Sequence, residues 1–151
     1  MLRNYSICGR ELRIKAPFFP ANSENWEKFL VESAKSDIIV ECKISENLPE
    51  INGEWSKKDR SDYCIAEDAL YKRIYMGYAD GAVIRTARND FSKKEITFAE
   101  SSFKTLMDDR YMWSTIGIAE SLLFLDSLLM HASYIDADGE AILFTAPCGT
   151  G

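Results

Sequence analysis

Histidine is almost missing from this chain, cysteine and proline are sparse, and no apolar run is long. One histidine and four cysteines occur in 151 residues. Cys8, Cys42, Cys64 and Cys148 form no C-x-x-C pair, and one imidazole gives a local zinc site too few ligands. Scattered cysteines fit a reducing compartment better than a disulfide-stapled secreted domain. The opening Met1-Leu-Arg-Asn-Tyr-Ser6 has no apolar segment of signal-peptide type. The longest apolar stretch, residues 116–130, is interrupted by Glu120 and Asp126 and is too short to cross a bilayer. The expected location is the cytoplasm. Excess positive charge is lacking too. A formal net charge of −6 argues against nonspecific attraction to nucleic acid or anionic lipid. The pairs Lys57-Lys58 and Lys93-Lys94 have acidic neighbours and read as solvated surface. Repeats, low-complexity tracts and clear linkers are absent.

What is present is the composition of a soluble globular protein. At 46% hydrophobic and 28% charged residues, the chain can bury one ordinary core. Residues 4–9 and 11–15 alternate polar and apolar side chains, which puts Tyr5, Ile7, Leu12 and Ile14 on buried faces. They read as two strands joined through Gly9-Arg10. Pro17 and Pro20 end regular structure. Residues 22–32 then read as a short helix capped by Asn22 or Ser23, with Trp26, Phe29 and Leu30 at helical spacing. Trp26 is expected to anchor a core or a lid, a ligand platform being the alternative. Residues 37–45 read as a strand, and residues 47–62, with Pro49 and Gly53, as an exposed loop.

Further strands are expected at 63–66, 69–78, 81–88 and 92–100. Asp80-Gly81 is the hairpin turn between the middle two. Tyr71, Arg73 and Tyr75 share one face, which is either an exposed edge face or a ligand-recognising one. The first hundred residues thus read as an antiparallel meander. Residues 101–112 read as a loop with a helical turn, where Asp108 and Asp109 are either a catalytic carboxylate pair or, more simply, negative charge opposing the positive end of the next helix. Residues 114–130 read as one long helix. Ile118, Leu122, Leu125 and Leu129 form its main stripe, broad enough to need cover on several sides.

The last twenty-one residues, from His131 onward, carry the chemistry. They read as a strand, a turn at 136–139, a second strand over 140–145, and a Gly-rich loop. That loop, Ala146-Pro147-Cys148-Gly149-Thr150-Gly151, has the layout G-x-x-x-x-G-K-[ST] with alanine at the first glycine position. Small residues there let successive backbone N–H groups turn inward and cradle phosphate oxygens. A following helix adds its N-terminal partial charge, lysine reaches the outer phosphates, and the hydroxyl holds Mg²⁺. The lysine and the hydroxyl are not among the 151 residues. An ordinary tight turn between strands has the same pattern.

Over residues 115–151 the chain resembles the HPr serine kinase/phosphorylase-like proteins, which share a P-loop fold with phosphoenolpyruvate carboxykinases. His131-Ala-Ser, the two strands around a Gly turn, and Phe144-Thr-Ala-Pro-Cys-Gly-Thr-Gly151 carry the resemblance, together with the leucine-rich stretch at 118–130. Cys148 departs from the family, which usually has serine there. The resemblance implies ATP-dependent phosphotransfer with Mg²⁺. Gly149, Thr150 and Gly151 would supply backbone donors, and Ala146, Pro147 and Cys148 would shape the loop. His131 would touch phosphate or orient a nucleophile; otherwise it hydrogen-bonds a helix C-terminal carbonyl. The acceptor would be a protein, a peptide or a small molecule.

The expected fold is α+β: a largely antiparallel sheet with one long buried helix, ending in the first strands of a P-loop kinase-like core. Residues 1–114 would be a β-rich region and 115–151 the start of a truncated P-loop domain, or the two would be one continuous domain. Cut inside its nucleotide loop, the chain is expected to be inactive and to hold neither ATP nor Mg²⁺ tightly. The alternative is a recognition or oligomerisation module that binds a peptide or protein at an open sheet edge. Self-association is expected in either case.

Overall fold

The computed structural model describes residues 1–7, 9–19, 24–32, 35–58, 61–108, 111–128 and 133–144. Alternation at the start of the chain produces β1 (Leu2–Ile7) and β2 (Arg10–Lys15), with Tyr5, Leu12 and Ile14 buried. Six more strands join them: β3 (Ile38–Ser45), β4 (Ser56–Lys58), β5 (Ser61–Ala66), β6 (Ala69–Met76), β7 (Ala79–Ala87) and β8 (Asp90–Ala99). Together they form one eight-stranded sheet in the order β1-β2-β3-β8-β7-β6-β5-β4.

This is not an antiparallel meander. β3 lies in the middle and runs parallel to both β2 and β8. Two long connections permit that, since a parallel neighbour needs a crossover of about a dozen residues or more. Residues 16–37 carry the chain from β2 to β3, and the meander β4–β7 is inserted between β3 and β8. The Asp80-Gly81 turn is also displaced. β6 and β7 turn at Gly77-Tyr78, while Asp80 and Gly81 lie inside β7 beside a bulge at Ile74/Tyr75. Gly81 answers to packing rather than turning: a Cβ there would stand 2.9 Å from Met76 Cγ and 3.1 Å from Leu106 Cδ1.

One face of the sheet is covered by α1 (Glu24–Glu27), α2 (Phe103–Leu106), α3 (Met112–Ile116) and α4 (Ile118–Leu123). Trp26 is fully buried there, stacked on Trp113 with centroids 3.2 Å apart, and Tyr5 meets both rings edge-on. The helix expected over 22–32 stops early because the following residues serve the sheet. Ser6 N donates to Phe29 O at 2.7 Å and Val31 N to Asn4 O at 3.0 Å, which covers part of the β1 edge. On the other face a smaller cluster of Cys64, Ala69, Tyr71 and Val83 sits under Leu48, Ile51 and Trp55. Those residues therefore pack on the sheet instead of forming a wholly exposed loop.

The single long helix over 114–130 does not exist. Gly117, at φ +62°, closes α3 in the left-handed conformation, and α4 restarts immediately and ends at Leu123. A left-handed residue breaks the i to i−4 hydrogen-bond ladder, and glycine takes it without strain. The apolar circumference divides accordingly. Ile116, Ile118 and Leu122 enter the core, while Leu123, Phe124 and Leu128 stay exposed. The α+β class stands and five of the seven strand pairings are antiparallel, but the sheet is mixed and the one long buried helix does not exist. After these helices, β9 (Ser133–Ala137) and β10 (Glu140–Phe144) form a separate two-stranded sheet, with Gly139 N donating to Asp136 Oδ1 at 2.9 Å. No helix among the described residues is long and apolar enough to cross a membrane.

Candidate functional site

Two lysines stand on the helix-covered face of the sheet, at positions where the alternation calls for apolar side chains. Lys72 pairs in register with Ile84, itself paired with Ile96. Lys94 lies between Thr86 and Val40. Paired residues in neighbouring strands share a face, so both ammonium groups point at the helices.

Lys94 is only 5% exposed. A buried ammonium costs several kcal/mol, about, unless its donors find acceptors. The break at Gly117 supplies them. Lys94 Nζ donates to Ile116 O at 3.2 Å and Gly117 O at 2.5 Å, carbonyls at the end of α3, of which that of Gly117 also accepts from Ser121 N at 3.3 Å as α4 begins. Glycine is needed at this point for space as well, because a Cβ on Gly117 would stand 2.9 Å from both Lys94 Nζ and Glu120 Oε2. Glu120, in the first turn of α4, accepts from Lys72 Nζ at 2.9 Å.

The three charges shape each other's protonation. Burial lowers the Lys94 ammonium to about 8, with repulsion from Lys72 adding to the effect and Glu120 opposing it. Burial works to lower Lys72 too, but its hydrogen bond and charge contact with Glu120, helped by Tyr63, raise it overall. For Glu120, burial is outweighed by Lys72 and Lys94, and its carboxyl is held below the ordinary value.

Beside Lys72 a cleft of about 230 Å³ opens between β6 and the helices α2 and α3. Ile74, Met76 and Leu106 form apolar walls, and Ser61, Tyr111, Ser114 and Thr115 contribute hydroxyl groups. Such a lining suits an anion with an apolar body. Metal ligation is another matter: no cluster of three or more His, Cys, Asp or Glu side chains suited to a cation occurs among the described residues.

The opposite face carries a larger, shallow depression of about 450 Å³, bordered by Glu41, Arg85, Lys93 and Glu95. Its charges neutralise one another. Arg85 pairs with Glu95 at 3.5 Å and Lys15 with Glu41 at 3.8 Å, all with substantially exposed side chains. The Tyr71/Arg73/Tyr75 face is likewise engaged internally. Arg73 lies over the Trp55 ring at 4.3 Å, and Tyr75 Oη donates to Asp62 Oδ2 at 2.6 Å. Asp108 uses its backbone carbonyl to accept from Tyr111 and Met112 N–H at the start of α3.

His131, Ala146, Pro147, Cys148, Gly149, Thr150 and Gly151 lie outside the described residues, as does Asp109. Sequence reasoning missed Lys72, Lys94 and Glu120 as a group, and it placed Lys94 with Lys93 on a solvated surface. Lys93 is exposed, Lys94 is not. A signal was present: Lys94-Ile96-Phe98 and Lys72-Ile74 each place a lysine in the apolar register of a strand. No family model, curated protein or solved structure matches the chain.

Proposed function

We propose that residues 115–151 open the nucleotide-binding domain of an ATP-dependent phosphotransferase of the HPr serine kinase-like kind, with residues 1–114 as its β-rich region. The observation that carries the reading is the strand-then-loop order. β10 (Glu140–Phe144) runs into Ala146–Gly151 with only Thr145 between, and a phosphate loop requires a strand in that place. In this reading Gly149, Thr150 and Gly151 offer backbone N–H groups to phosphate, Ala146, Pro147 and Cys148 set the loop's shape, and His131 stands just before β9. ATP would be bound with Mg²⁺, and catalysis would consist of positioning and charge neutralisation. The lysine and hydroxyl of the motif would follow Gly151. The acceptor is a protein, peptide or small-molecule hydroxyl. Two buried free thiols, Cys42 and Cys64, fit the reducing cytoplasm where we place the protein.

A second reading, a non-catalytic module that binds a protein partner or its own copy, is favoured by an apolar groove. Ile7, Phe29, Trp113, Ile118 and Leu122 line it with no polar surface. The sheet edges favour it less, since residues 29–31 cover part of β1 and β4 offers only three residues.

Calorimetry with ATP·Mg²⁺ separates the two. The chain is compared with a version continued through the codons that follow Gly151 in its gene. Binding by the continued version alone is the result expected of a phosphotransferase. Absence of binding by both would overturn that reading and leave the module.

A further inference from the structure

We infer that the cleft beside Lys72 is a binding site for a small oxyanion on an apolar body, that is, a phosphate monoester or a carboxylate. The inference stands on the sheet and its helices and does not depend on a nucleotide loop at Ala146–Gly151.

The charge balance comes first. Among the described residues the cluster holds two ammonium groups, Lys72 and Lys94, and one carboxylate, Glu120. Lys94 is turned inward onto the carbonyls of Ile116 and Gly117. Glu120 is paired with Lys72 and also feels Lys94, so the cluster carries one more positive than negative charge, the ammonium in excess being Lys94, in a protein of net charge −6. The lining comes second. No described residue bordering the cleft is acidic, although the chain has 24 Asp and Glu residues. Lys72 is its only described cation, with a side chain 17% exposed and therefore reachable from the cleft. Hydroxyls stand on both sides, Ser61 on β5 and Thr115 on α3, with Ser114 beside it donating to Tyr111 O at 2.8 Å, while Ile74, Met76 and Leu106 offer apolar contact. A lysine flanked by hydroxyl donors in a concave, mostly apolar setting matches how proteins hold small anions.

The probes are phenyl phosphate and benzoate, with phenol as the neutral control, titrated calorimetrically into the whole chain at low salt. The expected result is a dissociation constant of about 1 mM or tighter for at least one anion, with phenol weaker by about tenfold or more. Which anion binds better distinguishes phosphate from carboxylate ligands. Lys72→Met should weaken binding by at least about tenfold. Glu120→Gln should tighten it, because Lys72 loses its internal partner; a purely structural Lys72 would not show that. Should Lys72→Met fail to fold, Ser114→Asp carries the test. It is an exposed position on α3 that would put a negative charge at the rim, and it should abolish binding. Lys93→Met, on the opposite face, should bind as the parent does. No heat with either anion at about 10 mM would overturn the proposal. So would binding that survives both Lys72→Met and Ser114→Asp, since such a site lies elsewhere.

Discussion

The two faces of the eight-stranded sheet carry the same kinds of charged residue and treat them in opposite ways. On the outer face Lys15, Glu41, Glu95 and Arg85 form a row across four strands and remain in water. Glu41 and Glu95 even stand directly opposite each other, which high dielectric and a flanking cation on each side make tolerable. On the inner face Lys94, one residue from the exposed Lys93, is sealed under the α3–α4 junction and needs the carbonyls of Ile116 and Gly117. A charge in water is nearly free to change; a charge under a helix is tied to backbone geometry.

The comparison is broken most severely at the aromatic core of the inner face. Trp26→Ala removes a fully buried indole stacked on Trp113 and should cost about 3–5 kcal/mol in urea unfolding. Trp55→Ala, half-buried on the outer face, should cost clearly less. Equal losses would mean that both faces bear the fold alike.

Next in size is the pH dependence of Lys94. Its folded pKa, about 8, lies below the ordinary lysine value of 10.5, so between those limits the unfolded chain binds more protons than the folded one. Stability should therefore rise with pH across that window, by roughly 3 kcal/mol at most. Lys72 acts in the opposite sense. Its raised pKa gives stability that is present below pH 10.5 and lost above it. Denaturation midpoints at pH 7.5 and 10 should thus rise in the parent chain and flatten in Lys94→Met.

Gly117→Ala is a smaller change. The left-handed φ and the contact with Lys94 and Glu120 should together cost about 1–2 kcal/mol, read by the same unfolding titration. The smallest effect belongs to the outer face. Glu95→Gln and Lys15→Ala should each shift stability by less than about 0.5 kcal/mol, because these pairs are exposed.

The strands were legible in the sequence because alternation is local. Tyr5, Leu12, Ile14, Ile96 and Phe98 all point inward as the period-two pattern requires. Strand order was not legible. Whether β3 runs beside β8 or β4 depends on where a long insertion returns, and no residue within β3 records that. The helix break was half legible. Gly117 was visible, yet a glycine within an apolar stretch reads as tolerated unless the left-handed turn is known. The lysines of the inner face were hidden by their neighbours, since Lys93-Lys94 looks like surface charge until the strand's register assigns each residue to a face.

The most direct test of the account is the titration of lysine side chains followed by NMR of the ε-methylene groups. The account predicts one lysine resonance that titrates near pH 8 and disappears in Lys94→Met. If no lysine titrates below about pH 10, the ordinary range for an ammonium in water, Lys94 is not buried as described, and the difference between the two faces of the sheet fails with it.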